Sequence, residues 1–493
     1  MKRREYVKQG LTYQAFSICI QIINIFLIPI YTKNLSIEDF GQYNIITSVL
    51  SLLSMIVNLG IFSGLTRFYN EYEDKNSLKN TALTFSTMWG ITCCTIGILL
   101  SDKLSHFIFR NNINFSIYLK FIFINSFMMC LITIYSSYFS MQFKALKVSL
   151  INLGQMLLTF IFGIFFVVII KKGVLGTLYA QTISSIIIII ILISLDFRNI
   201  NLSINNNQLS KMLRFGVGLL PGNASAWILT LIDRYFLQYI SGLSAVAIYS
   251  MGYKIGMLIQ PLLLNSFSNI FNVYRLKVYK DEDAVYKLLK PYRYYNFISW
   301  LFILGISLFA DTAIHILSTD SYSEGYKIVP AIAISYYLYG LGDCFYGMGL
   351  FISNKTIVFS IILFIAACIN IIFNFLLIPR WSMMGASIAT IISYIFINLT
   401  YYFSGKKYYN ISFSFVEPLK YFFVFLISYA PYIYLKGVIY SKLIEVCLWL
   451  FGLVIFISFA IIFKLIALDE FKYLISIGVD KIKNSHKYEG NRK

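Results

Sequence analysis

The chain has 493 residues, 58% of them hydrophobic and 13% charged, with a formal net charge of +19 and a mean hydropathy of +0.72. A soluble domain of this size has no use for so much apolar surface, whereas a polytopic membrane protein does. The positive charge does not indicate nucleic acid, because the bases sit in alternate loops rather than on one face beside stacking aromatics.

Apolar runs long enough to cross roughly 30 Å of hydrocarbon predict about fourteen helices. The first six cover 11–32, 43–69, 81–101, 115–139, 148–170 and 174–195. Lys2, Arg3, Arg4 and Lys8 precede the first in the manner of a signal peptide. That segment is long enough to span and no small-x-small cleavage site follows, so it reads as a retained helix. A polar connector, 196–210, carries Asn205, Asn206 and Asn207. The next helices cover 213–239, 244–273, 294–316, 327–352, 357–378 and 384–403, and two more cover 418–436 and 441–467. The expected organisation is an N-terminal six-helix lobe (1–200), a second six-helix lobe (201–405), two additional transmembrane helices (406–468) and a basic tail (469–493).

Loop bases set the orientation. With the N-terminus in the cytoplasm, Arg275, Lys277, Lys280, Lys287, Lys290 and Arg293 fall in one cytoplasmic loop. Lys481, Lys483, Lys487, Arg492 and Lys493 fall in a cytoplasmic tail, so both termini are expected inside. The outside loops are short and leave no room for an extracytoplasmic catalytic domain. Tyr69, Tyr72, Tyr239, Tyr292, Tyr294, Tyr295, Tyr408 and Tyr409 read as interfacial belt residues.

A weak internal repeat relates Leu27–Tyr31, Ile37–Gly41 and Tyr43 to Leu231–Tyr235, Leu243–Ala247 and Tyr249. Six helices per unit put both copies into the bilayer in the same sense, related by an axis along the membrane normal; such transporters place their site between the halves. Gln14, Ser17, Gln21 and Asn24 share one face of the first helix. Asn223, Trp227, Thr230, Arg234 and Gln238 do the same on the seventh. Lipid penalises such faces, so each looks at water or at protein, as cavity lining or as interhelical hydrogen-bond glue. Asp233, Arg234 and Lys254 are charges inside apolar spans, which must be paired or line a wet cavity. The seven cysteines lie in apolar runs without disulfide or metal spacing and read as small buried hydrophobes.

The run Leu35-Ser36-x-Glu38-Asp39-Phe40-Gly41-x-Tyr43 resembles a hallmark of the polysaccharide (O-antigen-type) flippases in the MOP, or MATE-like, exporter superfamily. So do Gly60 and Arg67–Glu71, then Leu213–Gly216 with Leu220-Pro221, then Asp233–Leu237, then Ile248-Tyr249-Ser250-x-x-Tyr253-Lys254. Ala247 stands where that pattern usually has Gly, a small departure. The resemblance covers about 1–465 and implies two six-helix lobes, related by a pseudo-two-fold, around a central cationic cavity that opens alternately to each side. It implies a cargo: an undecaprenyl-pyrophosphate-linked oligosaccharide for O-antigen or capsule, moved from the cytoplasmic to the outer leaflet of a bacterial cytoplasmic membrane. Some members carry a lipid-facing groove on the last two helices. The transport unit is expected to be a monomer, with membrane lipids and other polysaccharide-assembly proteins as partners.

Such a cargo needs a wet, positively lined path for its headgroup, and Arg and Lys suit phosphate. Lys254, roughly eleven residues into its helix and so near the midplane, reads as cavity lining or as a structural partner of Asp233 or Asp343. Arg234 reads as a headgroup ligand or a gate salt bridge. Asp233 either pairs with a neighbouring base or couples protons. Asp343 is a proton or sodium site, or the partner of a loop lysine. Arg67 is a candidate for the cytoplasmic gate. Glu38 and Asp39 either cap the next helix or pair across the outer gate. Gln14, Gln21, Asn24, Asn223 and Thr230 complete the expected cavity lining.

No G-x-x-x-x-G-K-[ST] motif occurs, so ATP is not the expected energy source, and no cofactor is expected beyond a coupling proton or sodium ion. Two other readings compete. A glycan polymerase or ligase would need a nucleophile or acid–base constellation, and His106, His315 and the acidic residues form none in sequence. A cation-exporting antiporter would conflict with a basic interior.

Overall fold

The computed structural model describes residues 3–109, 115–409, 413–436 and 441–466, with the side chains of residues 3–8, 11 and 106–109 excepted. The expected basic tail, 469–493, lies outside the described residues. Within them the chain is helical throughout. Helices α1 (Arg3–Asn34), α2 (Ile37–Asn58), α3 (Ile61–Phe68), α4 (Lys75–Leu99), α5 (Ser101–Phe109) and α6 (Ser116–Met141) come first. Next are α7 (Ala145–Gly163), extended by a wide π turn over Ile164–Ile169, and α8 (Gly173–Asp196). They are followed by α9 (Asn206–Leu231), α10 (Asp233–Ser241), α11 (Leu243–Gly256), α12 (Asn265–Val278) and α13 (Ala284–Leu317). The last are α14 (Val329–Leu341), α15 (Met348–Ile352), α16 (Thr356–Lys406), α17 (Val416–Lys436) and α18 (Lys442–Ile462).

Eleven of the described helices are long and apolar enough to cross a membrane, or twelve with the bent pair α9–α10 counted as one span. This makes the chain a multi-pass membrane protein and is compatible with fourteen crossings. The 51-residue α16 would be about 77 Å long if straight. It bends at Ser382, whose φ of 45° and ψ of −124° are not helical, so it supplies two segments. Another segment, expected at 244–273, runs through α11 and α12, interrupted by a π turn over Gln260–Leu264 that contains Pro261.

Element boundaries shift for local reasons. α2 starts at Ile37, six residues before the expected 43, because Ser36 caps it by accepting the Asp39 amide at 3.0 Å. Glu38 and Asp39 therefore occupy its first turn, where acids suit the helix dipole. The same span breaks at Leu59 and Gly60, with φ of 47° and 68°, which separates α3. Tyr292 and Tyr295, expected in an interfacial belt, are buried. They join Phe271, Phe345 and Phe413 in an aromatic cluster with ring centroids about 5 Å apart.

The chain forms two compact units. The first comprises Met1–Met251, Ile314–Glu324 and Leu363–Ala389. The second comprises Gly252–Ala313, Gly325–Ile362 and Thr390–Lys493. Compactness groups α9–α11 largely with the first unit because α9 packs directly on α3. A Cβ on Gly60 would sit 2.6 Å from the Gly216 carbonyl oxygen, and one on Gly64 would sit 2.5 Å from that of Met212. Small residues allow this approach and so maximise dispersion contact, the main source of helix association in lipid. All seven cysteines are free. Cys130 and Cys344 are buried as expected, but Cys19, Cys368 and Cys447 lie on exposed helix faces, which lipid accepts equally well.

A buried ion pair ties the connector to the first unit. Lys79 donates to the carboxylate of Asp196 and stacks 5.3 Å from the Tyr138 ring centroid. Asn80 donates to the Asn199 carbonyl at 3.0 Å, and Thr81 donates to Gln208 at 3.1 Å. The expected helix limits of 81 and 195 put both charges in loops, whereas the Lys79 side chain is fully buried. Removing one partner of such a pair strands the other charge. Lys79→Met is therefore expected to cost about 3–5 kcal/mol of stability, read as a lower melting temperature in detergent. Lys79→Met with Asp196→Leu is expected to recover most of that loss.

Candidate functional site

α1 joins its unit through a narrow face. Gln9 accepts the Ala145 amide at 2.8 Å, and Tyr13 donates to Ser140 at 3.2 Å. The polar stripe on another face stays largely open: Gln14, Ser17 and Asn24 are exposed, Gln21 is half-buried, and Gln21 reaches Ser17 at 3.4 Å. Exposed amides at membrane depth belong against water, since hydrocarbon leaves them unsatisfied at a cost of several kcal/mol each.

The seventh span is bent by 41° between α9 and α10, and the charges sit at the break. Asp233 opens α10, accepting the Arg234 amide at 2.8 Å and the hydroxyl of Tyr249 on α11. Arg234 is 8% exposed and donates to Ser48 of α2 at 3.1 Å. Trp227, about two turns earlier on the stripe, donates to Ser51 at 2.9 Å. Thr230 turns its hydroxyl back onto the Ala226 carbonyl, and Asn223 is exposed. The stripe on α9–α10 thus divides: Asn223 is open, while Trp227 and Arg234 bind α2. Ser48 and Ser51 were not singled out from the sequence, where they look like ordinary small members of an apolar run, and Tyr249 entered only as a repeat and motif residue with no assigned partner.

At the far end of α2 the repeat-related turns meet. Ser244 donates to Glu38 at 2.8 Å, and these two residues occupy equivalent positions in the repeat. A Cβ on Gly41 would fall on the Leu243 backbone, and Ile37 is the counterpart of Leu243. Thr32 donates to the Leu317 carbonyl at 2.9 Å, and Phe40 meets Tyr322 edge-on at 5.5 Å. Asp39 is half-buried in the same region. Arg67 pairs with Glu71 one turn along at 2.8 Å, both well exposed.

In the second unit, Lys254 is half-buried near the end of α11. Gly252 and Gly256 on the same helix pack on the Gly325 carbonyl and on Ile332. Lys254 lies two residues from each, which puts it on the opposite side of the helix from that packed face. Asp343 sits in a π turn over Gly342–Tyr346. Its side chain is exposed while its neighbours Gly342 and Cys344 are buried. The carbonyls of Asp343 and Cys344 accept Arg275 at 2.9 and 3.0 Å, and the guanidinium lies 3.8 Å above the Phe351 ring centroid. Arg275, expected to be a loop base, is 1% exposed. Its partner carbonyls become available because a π turn breaks the helical ladder, a feature with no sequence signature here.

An apolar cavity of about 420 Å³ opens among α13, α14, α16 and α17, lined by Trp300, Tyr337, Leu338, Asn398, Phe415 and Phe422 among others. His315 faces Asp320 at 3.0 Å on an exposed turn, and the His106 side chain is outside the described residues.

A family model described as polysaccharide biosynthesis protein matches residues 7–271. The chain belongs to that family. Capsular polysaccharide biosynthesis protein CapF of Staphylococcus aureus is 28% identical over 217 residues, which are 43% of this chain and 54% of that protein. The match thus spans about half of that relative's length. An uncharacterised membrane protein of Methanocaldococcus jannaschii is 21% identical over 97% of this chain and 99% of its own. Among solved structures, lipid II flippase MurJ in an inward closed conformation superposes with a TM-score of 0.75 at 16% identity, covering 92% of this chain and 98% of that one. An inward-facing MATE-family multidrug transporter of the MOP superfamily gives 0.66 at 15% identity, covering 79% and 94%. The fold is therefore that of MOP-superfamily transporters, as the motifs from Leu35 to Lys254 imply.

In this family member, Asp233 depends on the phenol of Tyr249. Tyr249→Phe leaves a buried carboxylate short of a donor and is expected to destabilise by about 1–3 kcal/mol. Tyr249→His, which keeps a donor, is expected to lose less in the same detergent melting assay.

Proposed function

We propose that this chain is a flippase that carries an undecaprenyl-pyrophosphate-linked oligosaccharide from the cytoplasmic to the outer leaflet of a bacterial cytoplasmic membrane by alternating access, both termini being cytoplasmic. The observation that carries the reading is the open amide stripe of α1, in a chain of the polysaccharide biosynthesis family. A hydrated strip beside hydrocarbon is what an amphiphile with a large polar head requires. Gln14, Gln21, Asn24 and Asn223 offer neutral hydrogen bonds to sugar hydroxyls, and Lys254 offers a point charge to phosphate. The polyprenyl tail needs only an apolar gap, and the cavity beside α17 is lined for one.

No step in this reading breaks or forms a covalent bond, so the chain acts as a carrier and not as an enzyme. Arg234 serves as a gate element through Ser48, and Asp233 as its neighbour in that gate. Asp343, exposed from a π turn, is the carboxylate through which a proton or sodium gradient would couple. Moving one charge through 100 mV is worth about 2.3 kcal/mol, enough to bias a two-state carrier.

Lys254→Ala is expected to lower cell-surface glycan by about tenfold or more while leaving the amount of protein in the membrane unchanged. Deletion of the gene is expected to leave complete lipid-linked units in the cytoplasmic leaflet, measured by their accessibility to an added glycosidase on vesicles of defined sidedness. Unpolymerised units accumulating outside would instead identify a polymerase.

A further inference from the structure

The hairpin joining α12 to α13 carries a pocket that the transport reading does not use. α13 has 34 residues, about 51 Å of helix, whereas the hydrocarbon core needs only about 30 Å. Its first third, up to Tyr294, therefore stands in the headgroup layer. There Tyr274, Tyr286, Lys287, Lys290, Pro291 and Tyr294 enclose about 210 Å³, less than the roughly 300–1,000 Å³ of sites for drug-sized ligands. The Tyr274 hydroxyl donates to the Lys287 carbonyl at 3.4 Å, which fixes α12 against α13.

The charges in the pocket are unequal. Lys287 is held by Asp281 and Asp283 at 2.7 Å each, so it is neutralised within the hairpin. Lys290 is exposed, lies 5.8 Å from the Tyr294 ring centroid, and has no carboxylate partner among the described residues. Lys277 in the last turn of α12, Lys280 just after it and Arg293 on α13 are also exposed on this hairpin. On α12, Ile270, Val273, Tyr274 and Lys277 follow the spacing of one helix face. Ile270 is 73% and Val273 70% exposed. That face runs from apolar, deeper along α12, to basic at its end.

We propose that this hairpin binds one anionic glycerophospholipid of the adjacent leaflet. The phosphate meets the Lys290 ammonium and the Tyr286 and Tyr294 hydroxyls, and an acyl chain lies along Val273 and Ile270. The uncompensated positive charge selects an anion, and the apolar strip leading down from it selects a lipid over a soluble phosphate. This site rests on the membrane placement of α13 and not on the identity of the transported cargo.

The test is lipid binding to the purified full-length chain in detergent, followed by native mass spectrometry with phosphatidylglycerol or phosphatidylcholine of the same acyl chains. Wild type is expected to bind the first about tenfold more tightly. Lys290→Gln is expected to weaken phosphatidylglycerol about fivefold and Lys290→Glu about thirtyfold, with phosphatidylcholine unaffected. Val273→Asn is expected to weaken both lipids. Each variant is checked for wild-type melting, which exposed positions should preserve. Equal affinity for the two lipids, or no change on Lys290→Glu, overturns the proposal. So does saturable inorganic phosphate binding that Val273→Asn leaves intact.

Discussion

Hydrocarbon offers no hydrogen bonds, and that single fact organises this molecule. Every polar group that enters the spans must be answered by protein or by water, and three of the buried charges show how. Lys79 enters α4 because Asp196 and the Tyr138 ring receive it. Arg275 enters α12 because a π turn in the neighbouring chain segment releases the Asp343 and Cys344 carbonyls to it. Asp233 lies where α9 gives way to α10, with its carboxylate satisfied by Tyr249 and the next amide. The stripe of Gln14, Ser17, Gln21 and Asn24 on α1 stays largely exposed among the described residues, with Gln21 donating to Ser17 at 3.4 Å.

Close backbone contact is the second theme, and it follows from the first. Lipid removes the hydrophobic drive between helices, so attraction depends on how near the backbones come. Gly60, Gly64 and Gly216 draw α3 onto α9, and Gly41 draws α2 onto the start of α11. Packing of this kind is strong when seated and lost after a small separation, since dispersion falls steeply with distance.

The pairing of Glu38 with Ser244 links sequence repetition to packing. Two copies of one turn, 206 positions apart in the chain, meet each other.

The amino-acid sequence by itself determined the membrane-spanning all-helical class, the approximate segments, the family and the presence of charges at depth. Hydropathy and charge are sums over local residues, and the motifs around Leu35–Tyr43 and Asp233–Lys254 are contiguous. Which charge meets which partner was decided only in three dimensions. Arg234 went to Ser48, Lys79 to Asp196 and Arg275 to two carbonyls, partners 186, 117 and 68 or more positions away. Tyr292 and Tyr295 looked interfacial and became core because α13 begins ten residues earlier than its apolar run suggests. Hydropathy cannot register a helix that protrudes beyond the bilayer, a π turn that frees carbonyls, or a glycine that lets backbones touch, because each is a property of neighbours in space rather than of neighbours in the chain.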